Sequence, residues 1–142
     1  MTSVPDLTSL TQQIRESLDD CEDILFAYLY GSAAYGPTRS AGDIDIAVYL
    51  MPATADEYLK KEAALTSLLV SGLHTDDIDL RILNVLPVVL QYDILKEGIL
   101  VLSRDEMQRA EFETSVMLRF FELKPYLDEC RLMLSERIKE MP

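Results

Sequence analysis

The sequence predicts an α/β (α+β) fold in which a small mixed β-sheet of about four strands is flanked by helices. Segments with apolar residues at helical spacing alternate with short apolar runs typical of strands, in the order α-β-β-α-β-α-β followed by helices. The 142 residues, 49% of them hydrophobic, are enough for one domain with its own core. Because no repeat or linker interrupts the pattern, we expect a single domain over residues 1–142.

The first half of the chain predicts two helices and two strands. Residues 6–20 and 55–71 carry apolar residues at helical spacing, so each segment predicts an amphipathic helix. Residues 24–30 form an apolar, aromatic-rich run typical of a buried strand, and residues 43–50 predict a second strand. The Gly, Pro and Ser residues at 36–42 indicate a loop between these strands.

The second half adds two further strands and a helix between them. Residues 77–83 alternate polar and apolar side chains and predict a third strand. Residues 87–96 predict a helix that begins at a proline and is ended by Gly98. Residues 99–102 predict a short fourth strand, so the sheet is expected to have four strands.

Helices over residues 104–123 and 125–140 are expected to pack on this domain, with Pro125 marking a kink or a new start. An apolar stripe along residues 104–140 is more typical of a core face than of a partner groove. Its members are Met107, Ala110, Met117, Phe120, Phe121, Leu127, Cys130, Leu134 and Ile138. Its length relative to the small sheet leaves room for a helix-in-groove or dimer contact.

The charge of the chain restricts its partners. The net charge is −12 and the pI is near 4.4, which argues against direct nucleic-acid binding because phosphates need a basic surface. A basic protein partner would be favoured electrostatically.

Composition also indicates the compartment. Cys21 and Cys130 are far apart and His74 is the one histidine, so we expect no zinc site and reduced thiols. The N-terminus shows no signal peptide, and the longest apolar run, Ile82–Leu90, is too short to span a bilayer. These features predict a cytoplasmic protein that makes no membrane contact.

The chemistry is concentrated around two aspartates of the second strand. Gly31 and Ser32 are followed by ten residues and then by Asp43 and Asp45. Alternate residues of a strand share a face, so both carboxylates point the same way. Two such charges at ~4 Å repel by ~1 kcal/mol in water and by ~4 kcal/mol near a protein surface. A Mg²⁺ ion removes this cost and accepts one or two carboxylates together with substrate phosphates.

The turn before the aspartates predicts phosphate binding. Gly31 allows close approach and unusual backbone dihedrals. Ser32 offers a hydroxyl at a place where a helix could begin, with free N–H groups facing an anion; the alternative is a helix N-cap, and both roles are compatible. A nucleoside-triphosphate site is therefore expected here.

The third strand supplies another acidic residue. Asp79 and Arg81 share one face of that strand, and three carboxylates converge if it lies beside the Asp43–Asp45 strand. Arg81 and Arg39 are candidate phosphate clamps, and their alternative role is ordinary surface ion pairing. A convergent set predicts two-metal phosphoryl transfer, with Asp43 and Asp45 bridging two Mg²⁺ ions. Asp79 would contact the second ion and could act as general base.

This combination resembles the signature of the polymerase-β-like nucleotidyltransferase superfamily. The short length and the later residues Asp77-Ile78-Asp79-Leu80-Arg81-Ile82-Leu83-Asn84 are similar to its minimal nucleotidyltransferase branch, the MntA-type antitoxins paired with HEPN-domain toxins. Family members often carry an arginine soon after the Gly-Ser. This chain has Ala33, Ala34 and Tyr35 there, and Arg39 is the residue that could cover the triphosphate instead.

The resemblance implies a polymerase-β-like fold and transfer of AMP from Mg-ATP to a tyrosine hydroxyl of a cognate HEPN ribonuclease toxin, which is thereby silenced. It also implies that the HEPN toxin is a partner of the chain. Both a homo-oligomer and a hetero-oligomer with the toxin are left open. Two alternatives remain open. The chain could be a non-catalytic antitoxin that acts by binding and occlusion, or an adenylyltransferase that modifies a small molecule. The small-molecule enzymes usually have an extra substrate-binding domain, and this chain has little beyond the sheet except C-terminal helices.

Overall fold

A computed structural model of the chain describes residues 7–31 and 43–141. Its elements follow the predicted order. The strands are β1 (Ile24–Tyr30), β2 (Ile44–Leu50), β3 (Ile78–Ile82) and β4 (Ile99–Ser103), and the helices are α1 (Leu7–Leu18), α2 (Ala55–Leu73), α3 (Val88–Glu97) and α4 (Glu106–Glu140).

The four strands form one mixed sheet in the order β3-β2-β1-β4. β1 pairs antiparallel with both β2 and β4. β2 and β3 are parallel, and α2 makes the crossover that a parallel connection requires. The mixed four-stranded sheet predicted from the sequence is thereby confirmed.

Helices cover both faces of the sheet, because the two central strands, β1 and β2, carry apolar side chains on both sides. On the first face, α1 and α2 pack over a core that includes Ile46 and Val48. On the second face, α3 and α4 pack over a core that includes Phe26 and Ala47. Since residues of β2 alternate between the faces, Asp45 lies on the face that α3 and α4 cover.

Arg104, just after β4, connects this strand to the end of α1 through hydrogen bonds. Its guanidinium donates hydrogen bonds to the carbonyls of Leu18 (3.1 Å), Asp19 (2.7 Å) and Ile24 (3.1 Å), and also to that of Cys21. The last carbonyls of a helix have no partner within the helix. Arg104 therefore satisfies polar groups at the point where α1 turns into β1.

The expectation of two C-terminal helices is wrong. α4 is one helix of 35 residues with Pro125 inside it, which corresponds to a length of about 52 Å. Proline removes one backbone hydrogen bond from a helix. Here the affected turn is open to solvent, since Phe121 and Tyr126 on either side are 56% and 67% exposed, so water can hydrogen-bond the freed carbonyl.

The expectation that the apolar stripe forms core is also wrong for most of its length. The buried residues of α4 are Phe112 and Val116, neither of which belongs to the stripe. Met107, Met117, Phe121, Leu134 and Ile138 are all exposed. The sheet is shorter than α4, so only the first turns of the helix have strands to pack against. Within the described residues, no helix is long and apolar enough to cross a membrane.

Candidate active site

Asp45 of β2 and Asp79 of β3 lie directly opposite each other in the parallel pair. Neighbouring strands are about 4.8 Å apart, so paired side chains on one face meet. Burial, the charges of Asp79 and Asp43, and a hydrogen bond with Asp79 together raise the pKa of the Asp45 carboxyl. The two carboxylates therefore repel each other when both are ionised, and a proton or a cation between them relieves the repulsion.

Asp43 stands immediately before β2 and is exposed. Its charge adds to the rise in the pKa of Asp45. The two carboxylates therefore repel each other, as expected for alternate residues of a strand. Across residues 7–31 and 43–141, no three Asp, Glu, His or Cys side chains are grouped so that they could hold a metal ion. The structure thus brings Asp45 and Asp79 together, whereas Asp43 lies outside the paired strand residues and is exposed to solvent.

Gly31 follows β1 and comes close to Asp45. Its φ of +69° lies in the left-handed region that favours glycine. A Cβ atom at this position would collide with the Asp45 carboxylate. The glycine of the motif therefore lets the backbone at the end of β1 lie against that side chain, as a close approach to phosphates also requires.

Arg81 extends from β3 on the same side as Asp79. Its Nε lies 3.6 Å from Asp79 Oδ2, and its charge lowers the pKa of Asp45 in opposition to the acidic neighbours. The Arg81 side chain remains 48% exposed, so it can reorient towards an anionic ligand. Ser32 and Arg39, the other predicted nucleotide-binding residues, lie outside the described residues.

A cavity of about 320 Å³ opens beside Asp45 and Asp79. Its volume is within the range of small-molecule sites. Asp45, Asp79 and Arg81 line it together with residues from the end of β1 and from α3 and the turn before it. These other lining residues are Tyr30, Gly31, Leu86, Leu90, Asp93, Ile94 and Glu97.

The sequence reasoning missed most of this lining. Tyr30 pairs with Asp45 across β1 and β2, and burial together with the Asp45 charge raises the pKa of Tyr30 to about 12. Tyr35, the tyrosine that follows the Gly-Ser motif in the sequence, lies outside the described residues. Leu90, Asp93 and Glu97 show helical spacing in the sequence, but that spacing does not reveal which face of the sheet the helix covers.

The donor set fits Mg²⁺. Asp45 and Asp79 offer only oxygen ligands, which a hard cation prefers, and Mg²⁺ needs just one or two carboxylates because substrate phosphates supply further oxygens. Burial and the charges of Asp79 and Asp43 raise the pKa of the Asp45 carboxyl, and the opposing charge of Arg81 does not fully compensate them. A divalent cation would supply the missing compensation.

The family comparison agrees with this geometry. The model of the polymerase beta nucleotidyltransferase family matches residues 12–107, which include Gly31, Asp43, Asp45 and Asp79. The chain belongs to this family. It is a nucleotidyltransferase, as the strand-borne aspartates predicted. No protein with a curated description matches the chain significantly.

Solved structures support the same fold. One is a toxin–antitoxin structure with AMP-PNP, with 22% identity over 90% of this chain and 98% of the other and a TM-score of 0.70. Another is a tri-AMPylated HEPN toxin from Shewanella oneidensis in complex with an MNT antitoxin, with 20% identity, coverage of 93% and 98%, and a TM-score of 0.67. A third represents a minimal nucleotidyltransferase, with 25% identity, coverage of 69% and 98%, and a TM-score of 0.55. The predicted polymerase-β-like fold is therefore confirmed.

Proposed function

We propose that this nucleotidyltransferase transfers AMP from Mg-ATP to a tyrosine hydroxyl of a cognate HEPN ribonuclease toxin, and so neutralises the toxin in the cytoplasm. The observation that carries the proposal is the Asp45–Asp79 pair at a cavity next to Gly31. AMP-PNP in one similar structure and a tri-AMPylated toxin in another support the choice of nucleotide and acceptor. We take residues 1–142 as one nucleotidyltransferase domain to which α4 belongs.

The nucleotide-binding roles follow from position. Gly31 would present its backbone N–H to the triphosphate, and Ser32 next to it would add a hydroxyl. Arg81 would move from Asp79 to the phosphates, where a guanidinium can form paired hydrogen bonds. Arg39 is assigned to the same triphosphate from its place in the motif.

Asp43, Asp45 and Asp79 would hold two Mg²⁺ ions, which when bound supply Lewis-acid stabilisation of the charge on the transferred phosphoryl group. Asp79 would accept the proton of the acceptor hydroxyl as general base. The acceptor oxygen then forms a bond to the α-phosphorus, the bond from phosphorus to the bridging oxygen breaks, and diphosphate leaves. No covalent intermediate with this chain is needed.

The test is intact-mass spectrometry of the purified chain mixed with ATP, Mg²⁺ and the product of the adjacent gene. We expect the partner to gain the mass of one or more AMP groups on tyrosine. Asp45→Asn should abolish the gain. Asp76→Asn is the matched control, because Asp76 is an exposed turn residue just before β3, and it should leave the gain intact.

A partner that binds tightly, loses its ribonuclease activity and shows no mass change would overturn the transferase proposal in favour of occlusion. Occlusion would also be supported if the Asp45→Asn variant neutralised the toxin as well as the natural chain does. Adenylylation of an aminoglycoside with no modification of any protein would move the assignment to a small-molecule acceptor.

A further inference from the structure

The cavity beside the aspartates has a second wall, formed by α3. Leu90, Asp93, Ile94 and Glu97 lie three or four residues apart, so they share one face of the helix, and Leu86 precedes them in the turn. We call these five residues the α3 wall. It combines apolar side chains near the sheet with two carboxylates, and Leu90 is 41% exposed although it is a large apolar residue.

The α3 wall shares its cavity with the aspartate pair. Asp45, Asp79 and Arg81 line the cavity from the sheet. Asp93 and Glu97 line it from α3, together with Leu86, Leu90 and Ile94.

These acids do not suit a nucleotide. A nucleoside triphosphate is a polyanion, and two carboxylates on the wall of its site repel it without a metal ion to bridge them. Asp93 and Glu97 form no ion pair within residues 7–31 and 43–141, so no cationic side chain of those residues neutralises them. Their charge is better matched to the second substrate.

Helix stability does not account for Glu97 either. It is the last residue of α3, where the helix dipole favours cations and disfavours acids. Leu90 and Ile94, which line the cavity together with Glu97, are apolar, whereas a surface that serves only to be solvated would be polar throughout. An acid that opposes the helix dipole and lines a cavity is better explained by the ligand that enters the cavity.

We propose that the α3 wall is the acceptor subsite, and that the acceptor hydroxyl lies in a protein segment with a flanking arginine or lysine. The apolar residues Leu86, Leu90 and Ile94 receive the ring of the acceptor side chain. Asp93 and Glu97 pair with the flanking cation and hold the hydroxyl towards Asp79. This inference rests on the proposed transfer to a protein and specifies which chemistry the acceptor presents. The net charge of −12 favours a basic segment over long range in the same way.

The test measures binding separately from transfer. A fluorescently labelled peptide with a central tyrosine flanked by arginines is titrated onto the chain in the presence of Mg²⁺ and a non-hydrolysable ATP analogue, and a matched peptide has glutamates in place of the arginines. We expect the arginine peptide to bind and the glutamate peptide to bind at least about tenfold more weakly, with the difference reduced by added salt.

The decisive variant is Asp93→Asn/Glu97→Gln. It should weaken binding of the arginine peptide about tenfold or more and leave the affinity for the ATP analogue unchanged or higher. Glu136→Gln/Glu140→Gln is the matched control, because it removes the same two charges from an exposed part of α4. The control should bind the peptide as the natural chain does, and circular dichroism should show both variants folded.

Three results would overturn the inference: no binding of the arginine peptide, equal binding by both double variants, or a loss of ATP-analogue affinity in Asp93→Asn/Glu97→Gln. The last result would assign the α3 wall to the nucleotide. Failure of the proposed function would give a different result: the mass of the partner would stay unchanged in the transfer assay, independently of how the peptides bind.

Discussion

The carboxylate of Asp45 occupies the space that a side chain at Gly31 would need. Asp45 belongs to β2 and Gly31 directly follows the adjacent strand β1. Gly31 reaches this contact through a left-handed backbone with φ +69°. The glycine thus allows the turn after β1 to lie against one of the candidate metal ligands. A substitution here acts on the backbone and on the carboxylate at once.

Gly31→Ala should destabilise the fold by about 1–2 kcal/mol because of the left-handed backbone. It should lower AMP transfer by about 10²-fold because a displaced Asp45 no longer holds its geometry. Thermal unfolding and the transfer assay measure the two effects. In Gly31→Ala/Asp45→Ala the added methyl group has room, so the double variant should be more stable than the sum of the single changes predicts; additive losses would contradict the contact.

Asp45→Asn should raise the melting temperature of the metal-free chain at neutral pH. The pKa of Asp45 is raised in the folded state above its ordinary value of 3.8, so the folded chain binds a proton more tightly than the unfolded chain. Stability is then lost as the pH rises through the range above 3.8. Asparagine removes this loss because it carries no charge.

The same Asp45→Asn variant should lose the stabilisation that Mg-ATP gives to the natural chain. Differential scanning fluorimetry with and without Mg-ATP, at several pH values, measures both effects. Asp76→Asn, the turn control, should behave as the natural chain does. A lower melting temperature for metal-free Asp45→Asn would contradict the expected destabilisation by the charged Asp45 carboxylate, which burial and the charges of Asp79 and Asp43 cause together.

Arg81→Gln should weaken ATP binding about tenfold, because one charge-assisted contact to phosphate is lost. Its effect on unfolding should stay within about 0.5 kcal/mol, since the Arg81–Asp79 pair is long and half-exposed. Isothermal titration with AMP-PNP measures the affinity. Arg131→Gln on the exposed part of α4 is the charge-matched control. Equal affinities of the two variants would assign Arg81 to surface ion pairing alone.

Tyr30 should make the fold sensitive to alkali. Its pKa is raised from 10.0 to about 12 by burial and by the Asp45 charge, so the folded state holds the phenol proton more tightly than the unfolded state. The resulting stability is complete below pH 10 and is lost as the pH rises towards 12. Urea unfolding over that interval should show a smaller loss for Tyr30→Phe than for the natural chain. An identical loss would exclude Tyr30 as its source.

Arg104→Ala should destabilise the chain by about 2 kcal/mol, because several carbonyls at the end of α1 lose a charged donor. Arg104 does not line the cavity, so ATP affinity should be unchanged at temperatures where the variant is folded. Urea unfolding and AMP-PNP titration separate the two. A change in affinity without a change in stability would contradict this structural role.

Local periodicity was sufficient to predict the elements and part of the site. The alternation of Asp43, Ile44, Asp45 and Ile46 specified which side chains are buried, because a strand points successive residues to opposite faces. The spacing of Gly31 from Asp43 and Asp45 predicted a nucleoside-triphosphate site and carried the resemblance to nucleotidyltransferases. These inferences depend only on neighbours along the chain, which is why the sequence alone supported them.

The sequence did not determine how long α4 would continue or where it would be buried. Pro125 predicted a kink or a new helix start, and the apolar residues predicted a core face. Helix interruption depends on whether the freed carbonyl finds solvent, and burial depends on whether another element lies opposite. Both are properties of the assembled fold, and Phe112 and Val116 alone among α4 residues are buried against it.

What the sequence by itself determined about this protein is the order of its helices and strands, the face that each aspartate takes, and the motif that carries its family. Only the tertiary structure decided that β3 pairs with β2 so that Asp79 meets Asp45, and that α3 closes the cavity with Asp93 and Glu97. The physical reason is that periodicity is a local property of the chain. Strand pairing and helix docking join residues distant in sequence, and their outcome depends on how all apolar faces are buried together.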